Sequence, residues 1–126
     1  MMRMVGRVGL PLGRPVGWLD SWKDLKPMFS HVVIFWTRPE VADAADQLLA
    51  GGEKYLKPIP GVRSFHMGRM VGSHRPVVDQ SYQVALNLVF DTKEEQDAYQ
   101  VHPLHIDFVE QVFKPCCARA LVYDFE

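Results

Sequence analysis

Four stretches of strand-forming residues and two helical stripes follow one another in the order β-α-β-β-α-β, which predicts an α+β fold. The expected form is the ferredoxin-like plait, one antiparallel four-stranded sheet with helices on one face. Three observations carry this reading. Residues 30–36 are nearly continuous in β-formers, apolar residues recur at three- and four-residue intervals after Pro39 and again after Pro103, and residues 118–125 alternate. A plait leaves its second sheet face bare. Strands this apolar predict that a second copy covers that face, making a homodimer.

At 126 residues, with 48% hydrophobic and 23% charged residues, the chain is expected to be one domain with a true core. A net charge of -1 without a Lys/Arg stripe argues against nucleic acid as a partner. No apolar run approaches the roughly 20 residues that span a bilayer, so no membrane partner is expected. The only cysteines, Cys116 and Cys117, are adjacent and poorly placed to pair, which points to a reducing, cytoplasmic setting.

Residues 1–27 differ from the rest. They hold five basic and two acidic residues, against nine and thirteen in the remainder, and are rich in Gly and Pro. Three readings compete: a start assigned upstream of the true one, a peripheral arm tethered by Trp18 and Trp22, and a targeting segment. Met28, directly before a strand, favours the first, so the domain is set at 28–126.

Ser30–Trp36 reads as the first strand, with His31, Val33 and Phe35 on one face. Pro39 is expected to open a helix. Its stripe runs Val41, Ala44, Ala45, Leu48, Leu49, Tyr55 and Leu56, with a soft spot at Gly51-Gly52. Pro58-Ile59-Pro60-Gly61 turns the chain into a second strand, 62–71. A third, 81–90, places Tyr82, Val84, Leu86 and Leu88 on one face. Asp91 and Glu94 are read as a capping box opening the second helix, which Pro103 splits. Phe108, Val109, Val112 and Phe113 continue it. A last strand, 118–125, aligns Ala118, Ala120, Val122 and Asp124.

The chemistry concentrates in Tyr99-Gln100-Val101-His102-Pro103-Leu104-His105. His105 precedes Phe108 and Val109 by three and four residues and so belongs to the buried stripe. It is either a core histidine with one hydrogen bond or a general base, since an imidazole titrates near neutrality. Tyr99 is either an amphipathic core phenol or a donor polarising a carbonyl. Asp124 is either an edge carboxylate or the group that fixes the tautomer of a histidine. His102 and His105 could form half a metal site, but the intervening break and the absence of a completing cluster argue against metal. His66 and His74 read as surface residues, and Cys116 and Cys117 as structural.

The first strand Phe29-Ser30-His31-Val32-Val33-Ile34-Phe35-Trp36, the Pro-Gly-Val turn, and above all Tyr99-x-x-His102-Pro103-x-His105-x-x-Phe108 resemble the stress-responsive A/B barrel domain (Dabb) family. The resemblance covers about residues 28–126. It implies a dimeric α+β barrel, two plaits packed sheet to sheet. One member is a plant polyketide cyclase that works without a cofactor. By resemblance to it, His105 would be the base, Tyr99 the donor, Asp124 the support of His105, and His31 a pocket residue. Val33, Phe35, Leu86 and His102 complete the expected ligand contacts. Bulky aromatics of that cyclase are replaced near Leu48, Leu49 and Gly51-Gly52, which argues against a polyketide. The expectation is a homodimer binding a small apolar or carbonyl-containing molecule in the barrel, with cofactor-independent cyclase, lyase or isomerase chemistry. The alternative is a non-enzymatic stress-associated structural or binding protein. No cofactor and no metal are expected.

Overall fold

The computed structural model describes residues 27–126, so the readings of residues 1–27 as an arm or mis-assigned start lie outside the described residues apart from position 27. The elements are β1 (Phe29–Thr37), α1 (Ala44–Gly51), β2 (Ser64–Arg69), β3 (Val84–Phe90), α2 (Lys93–Gln100), α3 (Pro103–Phe108) and β4 (Cys117–Phe125). Two helices widen into π turns, α1 over Gly52–Leu56 and α3 over Val109–Phe113. The sheet order is β2-β3-β1-β4, and every neighbouring pair is antiparallel. This is the ferredoxin-like plait.

One sheet face packs against the helices. Phe29, His31, Val33 and Phe35 of β1 and Val84, Leu86, Leu88 and Phe90 of β3 are all buried there. Leu48, Leu56 and Tyr99 meet them from the helical side. The alternation of the two central strands thus sets which side chains reach the core. On the other face Val32, Ile34 and Trp36 are only half buried, and Tyr123 and Phe125 of β4 are exposed. The near-continuous hydrophobicity of β1 therefore reflects one helix-covered face and one bare apolar face.

Several boundaries differ from the sequence reading. The first helix starts at Ala44 rather than Pro39. Arg38 is tied to the helical turn Lys114–Cys116 before β4, its N–H donating to the Cys116 carbonyl at 2.7 Å and its Nε to the Lys114 carbonyl at 3.1 Å. Those bonds hold residues 38–43 in turns before α-helical bonding begins from Gln47 to Asp43. The capping box lies one residue later than expected. Thr92 Oγ1 accepts from the Glu95 N–H, and Glu95 Oε1 accepts from the Asp91 N–H. Asp91 is itself engaged by Arg63 at 2.8 Å, which leaves the cap to Thr92. β2 and β3 are shorter than read, because 62–63 and 81–83 belong to the turns that lead into them.

Gly51-Gly52 is the α-to-π junction and a close approach. A Cβ on Gly51 would lie 2.8 Å from both Val112 methyls, and one on Gly52 would overlap the Met67 sulfur. At Gly61 the backbone enters the left-handed region, φ 94°, which closes the Pro-rich turn.

Candidate functional site

Pro103 breaks the second helical run as expected, and the break builds the site. His102 adopts an extended backbone, and its Nδ1 accepts the Leu104 N–H at 3.1 Å, capping α3. His102 is therefore not among the residues lining the cavity described below, a correction to its expected ligand-contacting role. Its ring satisfies a helix terminus instead.

α2 delivers Tyr99 and α3 delivers His105, and the break folds one over the other. Their rings meet edge to face at 4.9 Å. Tyr99 also packs edge-on against Phe90 at 5.2 Å and His31 at 5.8 Å. Tyr99, His105 and His31 border a cavity of about 200 Å³ between the sheet and the helices of one chain. Its walls are mainly apolar: Val33, Phe35 and Leu86 from the sheet, with Phe108, Val109 and Phe113 from the helix. The predicted residues His31, Val33, Phe35, Leu86, Tyr99 and His105 thus come together. The cavity lies on the helix side of the sheet, whereas the barrel expected from two sheets would lie on the other.

Asp124 takes a partner other than the expected one. β1 and β4 pair antiparallel with His31 opposite Asp124, and the His31 Nδ1 lies 2.6 Å from Asp124 Oδ1. An ionised carboxylate only accepts, so Nδ1–H donates. The carboxylate thus orients His31, not His105. The cause is strand order, since β4 adjoins β1 while His105 stands across the cavity on α3. The buried Gln96 amide lies 3.5 Å from the same His31 nitrogen and donates to Gln100 Oε1 at 2.8 Å.

Burial and the electrostatic neighbourhood set protonation. Burial pushes the Tyr99 phenol well above its ordinary range, so it stays a protonated donor at neutral pH. Burial first, and the nearby His31 second, lower the pKa of His105, which favours the neutral, proton-accepting ring. No described residue supplies a hydrogen bond to the Tyr99 hydroxyl or to the His105 ring nitrogens. Among the described residues no group of three or more His, Cys, Asp or Glu side chains is placed to hold a metal ion.

Sequence reasoning missed Gln96 and Gln100. Gln96 is three residues before Tyr99 and therefore on its helix face, which was a usable signal. Leu56, Ala120 and Val122 also line the cavity; the last two share the strand face of Asp124.

A sequence profile described as the stress responsive A/B barrel domain, Dabb, matches residues 29–126. The chain belongs to the Dabb family. A stress-response A/B barrel domain-containing protein of Arabidopsis thaliana is 28% identical over 97 residues, 77% of this chain and 84% of that protein. Among solved structures, a dimeric ferredoxin-like protein of unknown function from Thermobifida fusca superposes with a TM-score of 0.65. It is 22% identical, over 78% of this chain and 89% of that one. A hydroxynitrile lyase from Passiflora edulis superposes with a TM-score of 0.68 at 16% identity, over 80% of this chain and 94% of that one. At these identities the two structures speak for the Dabb fold alone. No helix among the described residues is long and apolar enough to cross a membrane.

Proposed function

We propose that this Dabb protein binds a small carbonyl compound in the helix-side cavity and moves a proton at the carbon beside the carbonyl, using its own side chains. The convergence of Tyr99, His105 and the Asp124-oriented His31 on one apolar cavity carries this reading. The ligand oxygen accepts from the Tyr99 hydroxyl. Neutral His105 takes the α-proton, the C–H electron pair becomes the enolate double bond, and negative charge collects on the oxygen facing Tyr99. Returning the proton to carbon restores the ketone with its hydrogen exchanged, and returning it to oxygen releases the enol, an isomerisation. His31 borders the same cavity, held in place through Nδ1–H to Asp124. The Passiflora edulis lyase demonstrates that this fold hosts a lyase.

The chain is also proposed to work as a homodimer through its helix-free sheet face. Half-buried Val32, Ile34 and Trp36 beside exposed Tyr123 and Phe125 support this. Light scattering should give a dimer mass for the wild type and a monomer for Ile34→Glu. A monomeric wild type refutes the dimer.

The proton-transfer reading is tested by deuterium exchange. In heavy water the full chain should accelerate loss of α-proton NMR signal from simple ketones, and His105→Ala should abolish the acceleration. Exchange at the buffer rate with every ketone tried would refute catalysis.

A further inference from the structure

The charge and shape of the ligand are limited by the layout of the cavity. Antiparallel pairing divides its sheet wall into three rows. His31 stands between Asp124 and Leu88, Val33 between Val122 and Leu86, and Phe35 between Ala120 and Val84. Residues four apart on a strand are separated by about 13 Å, so the first and third rows lie that far apart. The helical wall repeats the gradient. Tyr99 stands at the His31 row, its ring 5.8 Å from that of His31, and His105 packs behind it, 4.9 Å from the Tyr99 ring. Phe108 and Phe113 stand at the Phe35 row, at 6.4 and 6.0 Å from its ring. Gln100 belongs to the polar end, because its partner Gln96 lies 3.5 Å from His31 Nδ1. No lysine or arginine lines the cavity, and the charge behind its polar end is the Asp124 carboxylate.

We propose that the cavity selects an uncharged ligand with a single polar end: a ketone or aldehyde group at the His31 row and an unsubstituted aryl or branched alkyl body reaching toward Phe35. This rests on the carbonyl-binding reading above and narrows it. A carboxylate or phosphate at the polar end meets no lysine or arginine, and the Asp124 carboxylate behind His31 opposes it. A second polar group at the far end is buried among Phe35, Phe108 and Phe113 with nothing to bond.

The test is calorimetric titration of the full chain near pH 8, where imidazoles are ordinarily neutral. Three probes share one phenyl-ethyl body. Benzylacetone carries a methyl ketone, hydrocinnamate replaces the methyl by an anionic oxygen, and para-hydroxybenzylacetone adds a phenol at the apolar end. Benzylacetone should bind at least about tenfold more tightly than hydrocinnamate, and about fivefold more tightly than the hydroxylated ketone. Equal or tighter binding of hydrocinnamate overturns the charge selection and leaves the carbonyl site standing. Equal binding of the hydroxylated ketone overturns the single polar end. Binding by none of the three contradicts the carbonyl site itself.

Discussion

Tyr99→Phe separates a functional hydroxyl from a structural ring. Tyr99 is 1% exposed, and its contacts with Phe90, His31 and His105 are made by the ring, which the substitution keeps. Only the hydroxyl is lost, and no described residue hydrogen-bonds it. A buried polar group left unpaired costs about 1–3 kcal/mol. The variant is therefore expected to gain about 1 kcal/mol of stability, the low end of that range. Function should move the other way. A neutral hydrogen bond to the ligand oxygen contributes about 0.5–1.5 kcal/mol, so ketone affinity should fall roughly 2- to 13-fold. If the hydroxyl holds the enolate oxygen, proton exchange should fall further, by about 100- to 1000-fold, as for other oxyanion donors. Urea unfolding and heavy-water exchange on the same preparations measure both. A variant destabilised by more than about 1 kcal/mol would show that the hydroxyl has a structural partner, and the argument would fail. Gained stability with lost activity is the signature of a group kept for function.

Burial holds the His105 pKa below that of the unfolded chain. The unfolded state then binds the proton first as pH falls through about 6.5, so stability declines below that pH. His105→Gln should flatten this part of a urea-midpoint profile taken between about pH 5 and 8. Burial pushes the Cys117 thiol up to about 12 and raises that of Cys116 as well. Near pH 8 a thiol reagent should therefore leave both unmodified in the native protein and label both in urea. Gly51→Ala drives a methyl against both Val112 methyls at 2.8 Å. It should cost about 1–3 kcal/mol in chemical denaturation, and adding Val112→Ala should recover most of the loss if the clash is its cause.

The plait was legible because its two central strands are dense in β-formers and Pro103 marks the helix break without ambiguity. The Tyr99, His105 and His31 cluster was legible for the same reason, since each side chain falls on the buried face of its element. Four features were not. The late start of α1 depends on Arg38 bonding the carbonyls of Lys114 and Cys116, a contact across 76 and 78 positions that no local pattern reveals. The role of His102 turned on one dihedral choice: in an extended conformation its ring caps α3, whereas continued helix would have pointed it elsewhere. The partner of Asp124 required strand register. Knowing that β4 adjoins β1 would have placed Asp124 opposite His31, whereas the resemblance alone assigned it to His105. The cavity's place was a fourth: the ligand was expected in the barrel between two sheets, whereas every sheet residue expected to touch it lies on the helix side.

The most direct measurement is histidine-ring NMR of the full chain with and without benzylacetone. The chain has five histidines, which supply their own controls. His31 and His105 border the cavity, while His66 and His74 are exposed elsewhere and His102 is occupied by its cap. The ketone should shift the ring signals of His31 and His105 together, leave His66 and His74 in place, and need a several-fold higher concentration to do so in Tyr99→Phe. Rings of His31 and His105 that stay unmoved at saturating ketone, or shifts confined to the exposed histidines, would contradict the site.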